Sequence, residues 1–427
     1  METRTKNVSL EDLQEIVGEE HAREATPEDA VDGVAPSFVV EPGSIEETSG
    51  LMRLASDEGL TVAPRGGGTK MGWGNLPREL DLILSSTRMN EVIEHVPGDQ
   101  VVRVQAGLNL EALQERLGRS DQILAIDPPE KGAGATVGGV VAANSSGPRR
   151  YRYGTVRDLI IGITVVLPDG TVAKAGGKVV KNVAGYDLGK LFTGSLGTLG
   201  VVATCNFRLH PRPEAARTVA VELNDTLAAG QAAQSLMHSQ VFASAIELHW
   251  SGDARLLTVL IEGILKGVDA QAETASYLLK GFGEVRKLSD EEVDHLGPLS
   301  PPGAGDEVAI IKIAHPPAEL TGVLDSALGA AERRSVTPRI TGHAGAGVTY
   351  VALSGGGEKA RAQVVEELRE IWVRRGGSVI VRQAPVSVKK RLDAWGPAGD
   401  YLGLTRRVKE KFDPRGILNP GRFLGGI

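Results

Sequence analysis

Glycine is the feature of this sequence that most restricts its fold. The chain has 54 glycines in 427 residues, roughly 13% against an average of about 7%. They gather in short loops between apolar runs, where a missing Cβ atom permits close approach of the main chain. The densest loop, VAPRGGGTKMGWG, continues a short apolar strand pattern. A glycine run in that place can present consecutive N–H groups to a phosphate, and a tight surface turn is the alternative.

Three further glycine clusters follow in order along the chain. They are IDPPEKGAGATVGGVVAANSSG at 126–147, GSLGTLGVV at 194–202 and FDPRGILNPGRF at 412–423. The first of these does not fit a nicotinamide dinucleotide fingerprint, because a proline pair separates it from any strand and no acidic residue ends a strand about 20 residues on. The GGTK segment lacks the spacing of a P-loop. Each cluster alone could be a turn, so their order and content carry the argument.

Composition narrows the class of protein. The length predicts two or three domains, and a net charge of −7 argues against a general nucleic-acid binder. A single cysteine, Cys205, excludes an intrachain disulfide and a cysteine-ligated zinc or iron–sulfur site. The charged N-terminal segment does not resemble a signal peptide, and no window has 18 uninterrupted apolar residues. We expect a cytoplasmic protein without direct membrane insertion, which could associate with a membrane through partners.

Hydrophobic periodicity predicts the main elements. A polar helix is expected over residues 7–25. Ser44 and Glu47 have the spacing of a capping box and predict a helix over 45–58. Residues 159–176 predict a β-hairpin with a Pro-Asp-Gly turn. Further helices are expected near 110–118, 227–238, 270–280 and 358–375.

The order and content of the four clusters resemble the vanillyl-alcohol oxidase and p-cresol methylhydroxylase superfamily of FAD-binding proteins. In that family a glycine loop after a short strand binds the FAD pyrophosphate, a TxGG segment lines the pyrophosphate and isoalloxazine, and GSlGtLGvv lies beside the adenine. The resemblance implies main-chain contacts to the pyrophosphate from residues 66–69, Gly138 and Gly139, with added charge from Arg65. The implied FAD-binding residues are Pro64, Arg65, Gly66, Gly67, Gly68, Thr69, Lys70, Pro128, Thr136, Gly138, Gly139, Ala142, Asn144, Gly147, Tyr153, Gly154, Val201, Val202 and Asn419.

The same resemblance implies an α+β fold, with a two-lobed p-cresol methylhydroxylase-type FAD-binding domain before an α+β cap domain. After a composition shift at RLHPRPEAAR, a strand–helix–strand–strand–helix order independently predicts an antiparallel sheet with helices on one face. The expected organisation is an N-terminal helical segment (1–30), the FAD-binding domain (31–213), the cap or substrate domain (214–408) and a tail (409–427) that returns to the FAD domain.

Two positions bear on how FAD is held. Some members of the superfamily tether FAD through a histidine just after the glycine loop, where this chain has Thr69 and Lys70. A lone cysteine such as Cys205 is more often a small core residue than a tether. We therefore expect noncovalent FAD.

The stretch GGKVVKNVAGYDLGKLFTGSLGTLG, residues 176–200, resembles the smaller FAD-binding subunits of bacterial glycolate oxidases. This implies a complex with a second flavoprotein subunit and an iron–sulfur subunit, in which a small 2-hydroxy acid such as glycolate is oxidised. The roles of Lys181, Asn182, Tyr186 and Asp187 stay open between closure over the flavin and a buried turn.

The catalytic hydroxy-acid dehydrogenases of the superfamily carry H.GDGN.H and a Glu-His pair, which supply metal ligands and a base. Here the corresponding segment is GHAGAGVTY, and QAP occupies the place of Glu-His. His343 remains and Tyr350 replaces the second histidine, so we expect no metal site and name both as candidate catalytic residues, with a structural loop histidine as the alternative for His343. Two other hypotheses remain. One is a self-sufficient, metal-free dehydrogenase that grips an anion with His343, Tyr350 or Lys389–Lys390 and Arg391, and the other is a non-catalytic flavin scaffold.

Overall fold

The computed structural model describes residues 8–177, 186–252, 254–296 and 308–427. The helices of these ranges are α1 (Leu10–Val17), α2 (Ile45–Glu58), α3 (Leu110–Gly118), α4 (Val137–Ala143), α5 (Arg150–Tyr153), α6 (Val156–Leu159), α7 (Leu188–Phe192), α8 (Thr226–Met237), α9 (Leu265–Leu279), α10 (Asp290–His295), α11 (Leu320–Glu332), α12 (Gly357–Arg374), α13 (Val386–Lys389) and α14 (Leu402–Phe412). None of them combines the length and hydrophobicity that crossing a membrane requires.

The strands of the same ranges are β1 (Ala22–Glu24), β2 (Phe38–Val40), β3 (Val62–Arg65), β4 (Leu82–Ser85), β5 (Val92–Val96), β6 (Val101–Gln105), β7 (Gln122–Ile123), β8 (Ile160–Val166), β9 (Val172–Gly176), β10 (Val201–Arg208), β11 (His210–Pro211), β12 (Ala215–Glu222), β13 (Ala243–Trp250), β14 (Arg255–Gly263), β15 (Val285–Leu288), β16 (Ala309–Ala314), β17 (Val336–His343), β18 (Val348–Gly355) and β19 (Ser378–Gln383).

The N-terminal half contains two sheets that meet at a shared apolar core. The first has the order β1-β2-β4-β3, with β2, β4 and β3 parallel, and the second is antiparallel in the order β5-β6-β10-β8-β9. Val166, Val201 and Ala203 of the second sheet pack in the same buried cluster as Val62 and Leu84 of the first. This packing places the loop after β3 beside the loop before β10, so the first and third glycine clusters become neighbours.

The C-terminal tail completes the first sheet. Val62 bridges Leu418 in parallel, and main-chain hydrogen bonds join Val62 N–H to the Ile417 carbonyl at 2.8 Å and Asn419 N–H to the Val62 carbonyl at 2.9 Å. Helix α14 already packs on this half, since Phe412 meets Phe192 edge to face with ring centroids 5.6 Å apart. The tail therefore lies next to the glycine loop that follows β3.

The second half is built on a sheet with the strand order β15-β12-β14-β13-β17-β18-β16-β19, antiparallel at every described pairing. Helices α8, α9, α11 and α12 cover one face and form with it the largest buried cluster. In β13, Ile246 and Leu248 point into that cluster, whereas Glu247 and His249 alternate to the opposite face, as a period of two requires. That opposite face is buried and polar. The predicted α+β class with an antiparallel cap sheet is confirmed.

Several local predictions are confirmed and two are corrected. Helix α2 begins after Ser44 and ends before Gly59, which has φ 71°, and the hairpin β8–β9 forms as expected. Of the predicted helix over 7–25, only Leu10–Val17 is α-helical, because Gly18 ends it and β1 pairs with β2. The capping box is incomplete: the Ser44 hydroxyl accepts from Glu47 N–H, but the Glu47 carboxylate accepts from Gly43 N–H.

Candidate functional site

A cleft lies where three glycine clusters and the C-terminal tail meet. The loop after β3, the first turns of α4, the loop before β10 and the tail each contribute to its walls. Its lining residues are Pro64, Gly66, Gly67, Gly68, Thr69, Lys70, Met71, Thr136, Gly139, Ala142, Ala143, Leu196, Gly197, Asn419 and Arg422. The structure thus brings together residues that were predicted from four separate stretches of sequence.

The glycine loop supplies a row of unused donors to this cleft. The main-chain N–H groups of residues 66–70 donate to no acceptor among the described residues, although Met71 N–H bonds the Gly68 carbonyl and Trp73 N–H bonds the Lys70 carbonyl. Successive unpaired amides in a concave loop bind anions, and a diphosphate is a suitable partner for five of them. The observed donors fit the pyrophosphate of a dinucleotide cofactor.

Close packing between loops explains two of the glycines. A Cβ atom on Gly67 would lie 1.9 Å from the Gly134 carbonyl oxygen, and one on Gly66 would lie 2.0 Å from Thr136 Oγ1. The predicted contact from Gly138 N–H to a phosphate is wrong, because that N–H donates to the Ala106 carbonyl at 2.7 Å. Gly139 N–H has only a long bond of 3.4 Å to Thr136 Oγ1, which belongs to the cap of α4.

Two buried polar atoms without partners belong to residues next in sequence to the lining of the cleft. Asn144 ends α4 in the left-handed region with φ 45°, and its Oδ1 atom is buried with no hydrogen bond among the described residues. The hydroxyl of Ser195 is also buried without a hydrogen bond among the described residues. Both flank the segment where Leu196 N–H bonds the Ala142 carbonyl at 2.8 Å. Because orphaned buried polar groups are costly, they are consistent with a polar ligand in this cleft.

The tail is held to the cleft by buried side chains. Asn419 donates to the Leu196 carbonyl at 2.7 Å. Arg422 is 4% exposed and donates to the carbonyls of Met71 and Trp73, while its Nε–H group donates to no described acceptor. Burial lowers the pKa of Arg422 to about 10, which leaves it charged at neutral pH. The tail therefore adds a fixed positive charge to a wall of the cleft.

Other predicted FAD-binding residues lie in different surroundings. Arg65 forms an ion pair of 2.9 Å with Asp29, so its charge is balanced within the protein. Gly147 packs on the Asp127 carbonyl. The centroid of the Tyr153 ring lies 4.8 Å from that of the His210 ring. Gly154, the next residue, has a positive φ. Pro128 is buried in the loop before Glu130, and Val201 and Val202 begin β10 opposite β8.

The structure also shows where the lone cysteine and the segment before the third glycine cluster lie. Cys205 is fully buried in β10, and burial raises the pKa of its thiol far above the usual range, as for an inert core residue. Lys181 and Asn182 lie outside the described residues. Tyr186 is 92% exposed, and Asp187 caps α7 through Lys190 N–H. Neither of the two described side chains touches the cleft.

A group of polar side chains, which we call the chamber, lies next to the cleft at Lys70. The Lys70 ammonium is 3.3 Å from the Glu130 carboxylate and 5.7 Å from the centroid of the Trp73 ring. The Arg382 guanidinium of β19 stacks on that same indole at 3.6 Å and lies near Tyr350. This series of contacts connects the glycine loop to the polar face of the cap sheet.

Strand register assembles the far wall of the chamber. Tyr350 of β18 lies opposite Lys312 of β16 on one side and Thr341 of β17 on the other. His343, the next residue of β17 on that face, contacts the Tyr350 ring edge to face with centroids 5.7 Å apart. Its Nδ1 atom is 2.9 Å from the carboxylate of Glu247, which lies opposite it on β13.

Burial controls the protonation of this wall. It lowers the pKa of His343 to about 3 and raises that of Glu247 well above its usual value, so both neutral forms are favoured. Burial, together with the nearby Arg382 and Arg150 guanidinium groups, lowers the pKa of Lys312 to about 7. These shifts lie on one face of one sheet, next to the cleft, as in an active site.

Cations exceed their acidic partners in the chamber. Arg149 pairs with Glu262 at 2.7 Å and Lys70 with Glu130. In contrast, Arg150, Lys312 and Arg382 form no ion pair with any described carboxylate, and the Nε atom of Arg382 is buried without a partner. Half-buried guanidinium groups without an acidic partner are costly. An anionic ligand would balance them.

Sequence reasoning did not identify Arg150, Lys312, Arg382, Trp73 or Glu247. The signal for Lys312 and Arg382 was a cation inside an apolar strand, in AIIKIA and SVIVRQ.

Residues Lys389–Arg391, which one hypothesis assigned to anion binding, lie elsewhere. Lys389 is buried against Asp32 at 2.7 Å, and Arg391 pairs with Glu358. Within the described ranges, no three His, Cys, Asp or Glu side chains form a group able to hold a metal ion.

Comparison with known proteins agrees with this geometry. Residues 36–176 match the FAD binding domain family, and residues 302–423 match the C-terminal domain of FAD linked oxidases. Relatives include a glycolate oxidase subunit GlcD of Bacillus subtilis (28% identical, covering 91% of this chain and 89% of that protein). A D-lactate dehydrogenase of Archaeoglobus fulgidus is 28% identical over 93% of this chain and 94% of its own length.

Solved structures share the fold. That of p-cresol methylhydroxylase with substrate bound has a TM-score of 0.74 at 15% identity and covers 97% of this chain and 95% of its own. The two family matches together span more than half of the sequence and both lobes of the structure. The cofactor of such proteins is FAD, and the cleft has the donors to receive it. The chain therefore belongs to the FAD-linked oxidase superfamily and is an FAD-dependent oxidoreductase.

Proposed function

We propose that this protein oxidises a small 2-hydroxy acid to the 2-oxo acid. Relatives over about nine tenths of the chain include a D-lactate dehydrogenase, a glycolate oxidase subunit and a D-2-hydroxyglutarate dehydrogenase. The observation that carries the proposal is the pair of guanidinium groups, Arg150 and Arg382, which lie beside the cofactor cleft without an ion pair to any described carboxylate. A carboxylate next to the reacting carbon is the anion that this pair would hold.

FAD would be held without a covalent bond. The amides of residues 66–70 would take the pyrophosphate, and the loop before β10 and the tail would close around it, with the Arg422 charge nearby. The residues just after the glycine loop are Thr69 and Lys70 rather than histidine or tyrosine, and Cys205 is buried in the core. The chemistry that FAD supplies here is acceptance of two electrons and a hydrogen from a C–H bond.

The chamber residues would bind and orient the substrate. Arg382, stacked on Trp73, offers a guanidinium fork that suits a carboxylate. Arg150 reaches the same space from the other lobe. His343 and Tyr350 would contact the hydroxyl end of the substrate, and Glu247 would fix the ring orientation of His343. Closure between the lobes would exclude water from the reacting carbon.

We further propose glycolate as the substrate and a glycolate oxidase-like complex as the working form, with electrons passing to a second flavoprotein subunit and an iron–sulfur subunit. The support is the glycolate oxidase subunit relative and the signature stretch before the third cluster. This form could reach a membrane through its partners. A chain active alone is the second candidate, supported by the complete chamber of the isolated structure.

Anaerobic flavin reduction tests the proposal. The purified chain, saturated with FAD, is mixed with glycolate, D-lactate and D-2-hydroxyglutarate, and with the L-enantiomers. Loss of the 450 nm band with at least one acid is expected, followed by recovery with an added electron acceptor. An oxidised spectrum with every acid would overturn the assignment for the isolated chain. Repeating the assay with co-expressed partner subunits then separates the two working forms.

A further inference from the structure

We propose that Lys312 is the catalytic residue that accepts the proton of the substrate hydroxyl. The inference rests on the proposed function and deepens it, because it replaces the metal and histidine pair of the hydroxy-acid dehydrogenases with one amine. Neither the sequence motifs nor the comparisons point to this residue.

The position of Lys312 meets the geometric requirement. It lies in the middle of β16, directly opposite Tyr350, with its side chain on the polar face of the cap sheet. Cross-strand partners have Cβ atoms about 5 Å apart, so the amine and the phenol share one space. The contacts of Lys70 and Arg382 with the Trp73 ring link this face of the sheet to the residues that line the cofactor cleft. A substrate held between the lobes would lie against this face.

The surroundings of Lys312 favour a neutral amine. Arg382 of β19, Arg150 of α5 and His343 of β17 face it together with Tyr350, and no described carboxylate forms an ion pair with it. Burial and the two guanidinium groups bring its pKa to about 7. A proton acceptor works best when its pKa lies near the working pH. The arriving carboxylate adds negative charge, which makes the amine more basic at the moment when it must take a proton.

His343 is less suited to this role. Its Nδ1 atom is engaged with Glu247 at 2.9 Å, and burial lowers its pKa to about 3, so an imidazolium is strongly disfavoured. The His343–Glu247 pair instead fixes the wall against which Tyr350 packs. We regard it as a positioning pair.

The step balances as follows. The O–H bond of the substrate breaks and its proton joins the neutral Nζ atom of Lys312, which becomes an ammonium. The oxidant would be FAD held by the amides of residues 66–70, which would take the C2 hydrogen together with both electrons of the C2–H bond. The C2–O bond becomes a carbonyl, and the ammonium returns its proton to solvent after product release.

The test compares Lys312→Ala with wild type in anaerobic flavin reduction by the 2-hydroxy acid that reduces wild type fastest. The expected result is a fall in the reduction rate of at least about 100-fold, as for loss of a general base. Small amines such as ethylamine should restore part of the rate in proportion to the neutral amine. In wild type, the flavin reduction rate divided by the substrate Kd should rise with pH through an apparent pKa near 7. This rise should be absent from the variant.

Binding measurements separate the chemical role from a structural one. The Kd of 2-hydroxy-2-methylpropanoate, which has no C2 hydrogen to lose, should change less than about 5-fold, read from the flavin spectrum. Lys312→Met, which keeps the side-chain volume, replaces the alanine variant if that one loses FAD. Lys266→Ala, at an exposed position of α9, is the matched control and should behave as wild type.

The outcomes distinguish the two proposals. A wild-type flavin that no hydroxy acid reduces refutes the proposed function and this inference with it. A reducible wild type with an unchanged rate and pH profile in Lys312→Met refutes the inference alone. A slow variant that no amine rescues also refutes it, because a purely structural lysine would behave in that way.

Discussion

The Arg382 guanidinium carbon lies 3.6 Å from the centroid of the Trp73 ring. Trp73 belongs to the glycine-rich segment of the first lobe and Arg382 to the last strand of the cap sheet. The contact therefore joins the cofactor cleft to the chamber across the lobe boundary. A guanidinium stacked on an indole keeps its N–H groups free in the ring plane for a carboxylate.

Replacing Trp73 should weaken substrate binding more than cofactor binding. Trp73→Leu removes the ring beneath Arg382, and a desolvated cation–π contact contributes about 1–2 kcal/mol. We expect the Kd of the 2-hydroxy acid to rise about 5- to 30-fold in stopped-flow flavin reduction, with FAD content unchanged. Trp73→Phe keeps an aromatic face and should show a smaller rise. Equal Kd values in wild type and Trp73→Leu would contradict the role given to this contact.

A side chain at Gly67 should reduce FAD binding. Its Cβ atom would lie 1.9 Å from the Gly134 carbonyl oxygen, so Gly67→Val must push the two loops apart and misalign the amides of residues 66–70. We expect at least a 10-fold higher Kd for FAD in a fluorescence titration of the apoprotein. Gly132→Ala is the control, because nothing lies within 4 Å of its Cβ position. Wild-type FAD affinity in Gly67→Val would show that this loop does not hold the cofactor.

Loss of the Lys409 amine should destabilise the first lobe. Lys409 donates to the carbonyls of Thr198 and Leu418 and pairs with the fully buried Asp413 at 2.6 Å. Lys409→Met leaves that carboxylate buried without a cation, which costs about 3–5 kcal/mol. Urea unfolding followed by tryptophan fluorescence should show the loss. Lys411→Met, at an exposed position of the same helix, should unfold like wild type.

Acid should destabilise the cap domain through His249. Burial lowers the pKa of this histidine from 6.5 to about 4, and Arg339 contributes. Between these values the unfolded chain binds the proton and the folded one does not, so stability falls as pH falls from 6.5 to 4, by up to about 1.4 kcal/mol per pH unit. His249→Gln should flatten that slope in urea unfolding at several pH values. The exposed His238→Gln should not, and an unchanged slope in His249→Gln would refute the assignment.

Much of the cofactor cleft could be predicted because its residues lie in continuous motifs. The glycine loop after β3 and the asparagine cap of α3, Asn109, follow from local rules of turns and caps. The prediction for Gly138 N–H was wrong because the acceptor, the Ala106 carbonyl, comes from a separate segment. The helix over 7–25 was wrong for a similar reason, since pairing with β2 outweighs the helical propensity of Ala22–Glu24.

The sequence by itself determined the superfamily, the cofactor and the α+β plan, because each rests on short stretches whose residues act on their immediate neighbours. Only the tertiary structure decided the chamber. Arg150 comes from a one-turn helix of the first lobe, whereas Lys312 and Arg382 come from adjacent strands of the cap sheet. Their meeting depends on strand order, register and the docking of two lobes. These are long-range contacts that hydrophobic patterning constrains without specifying.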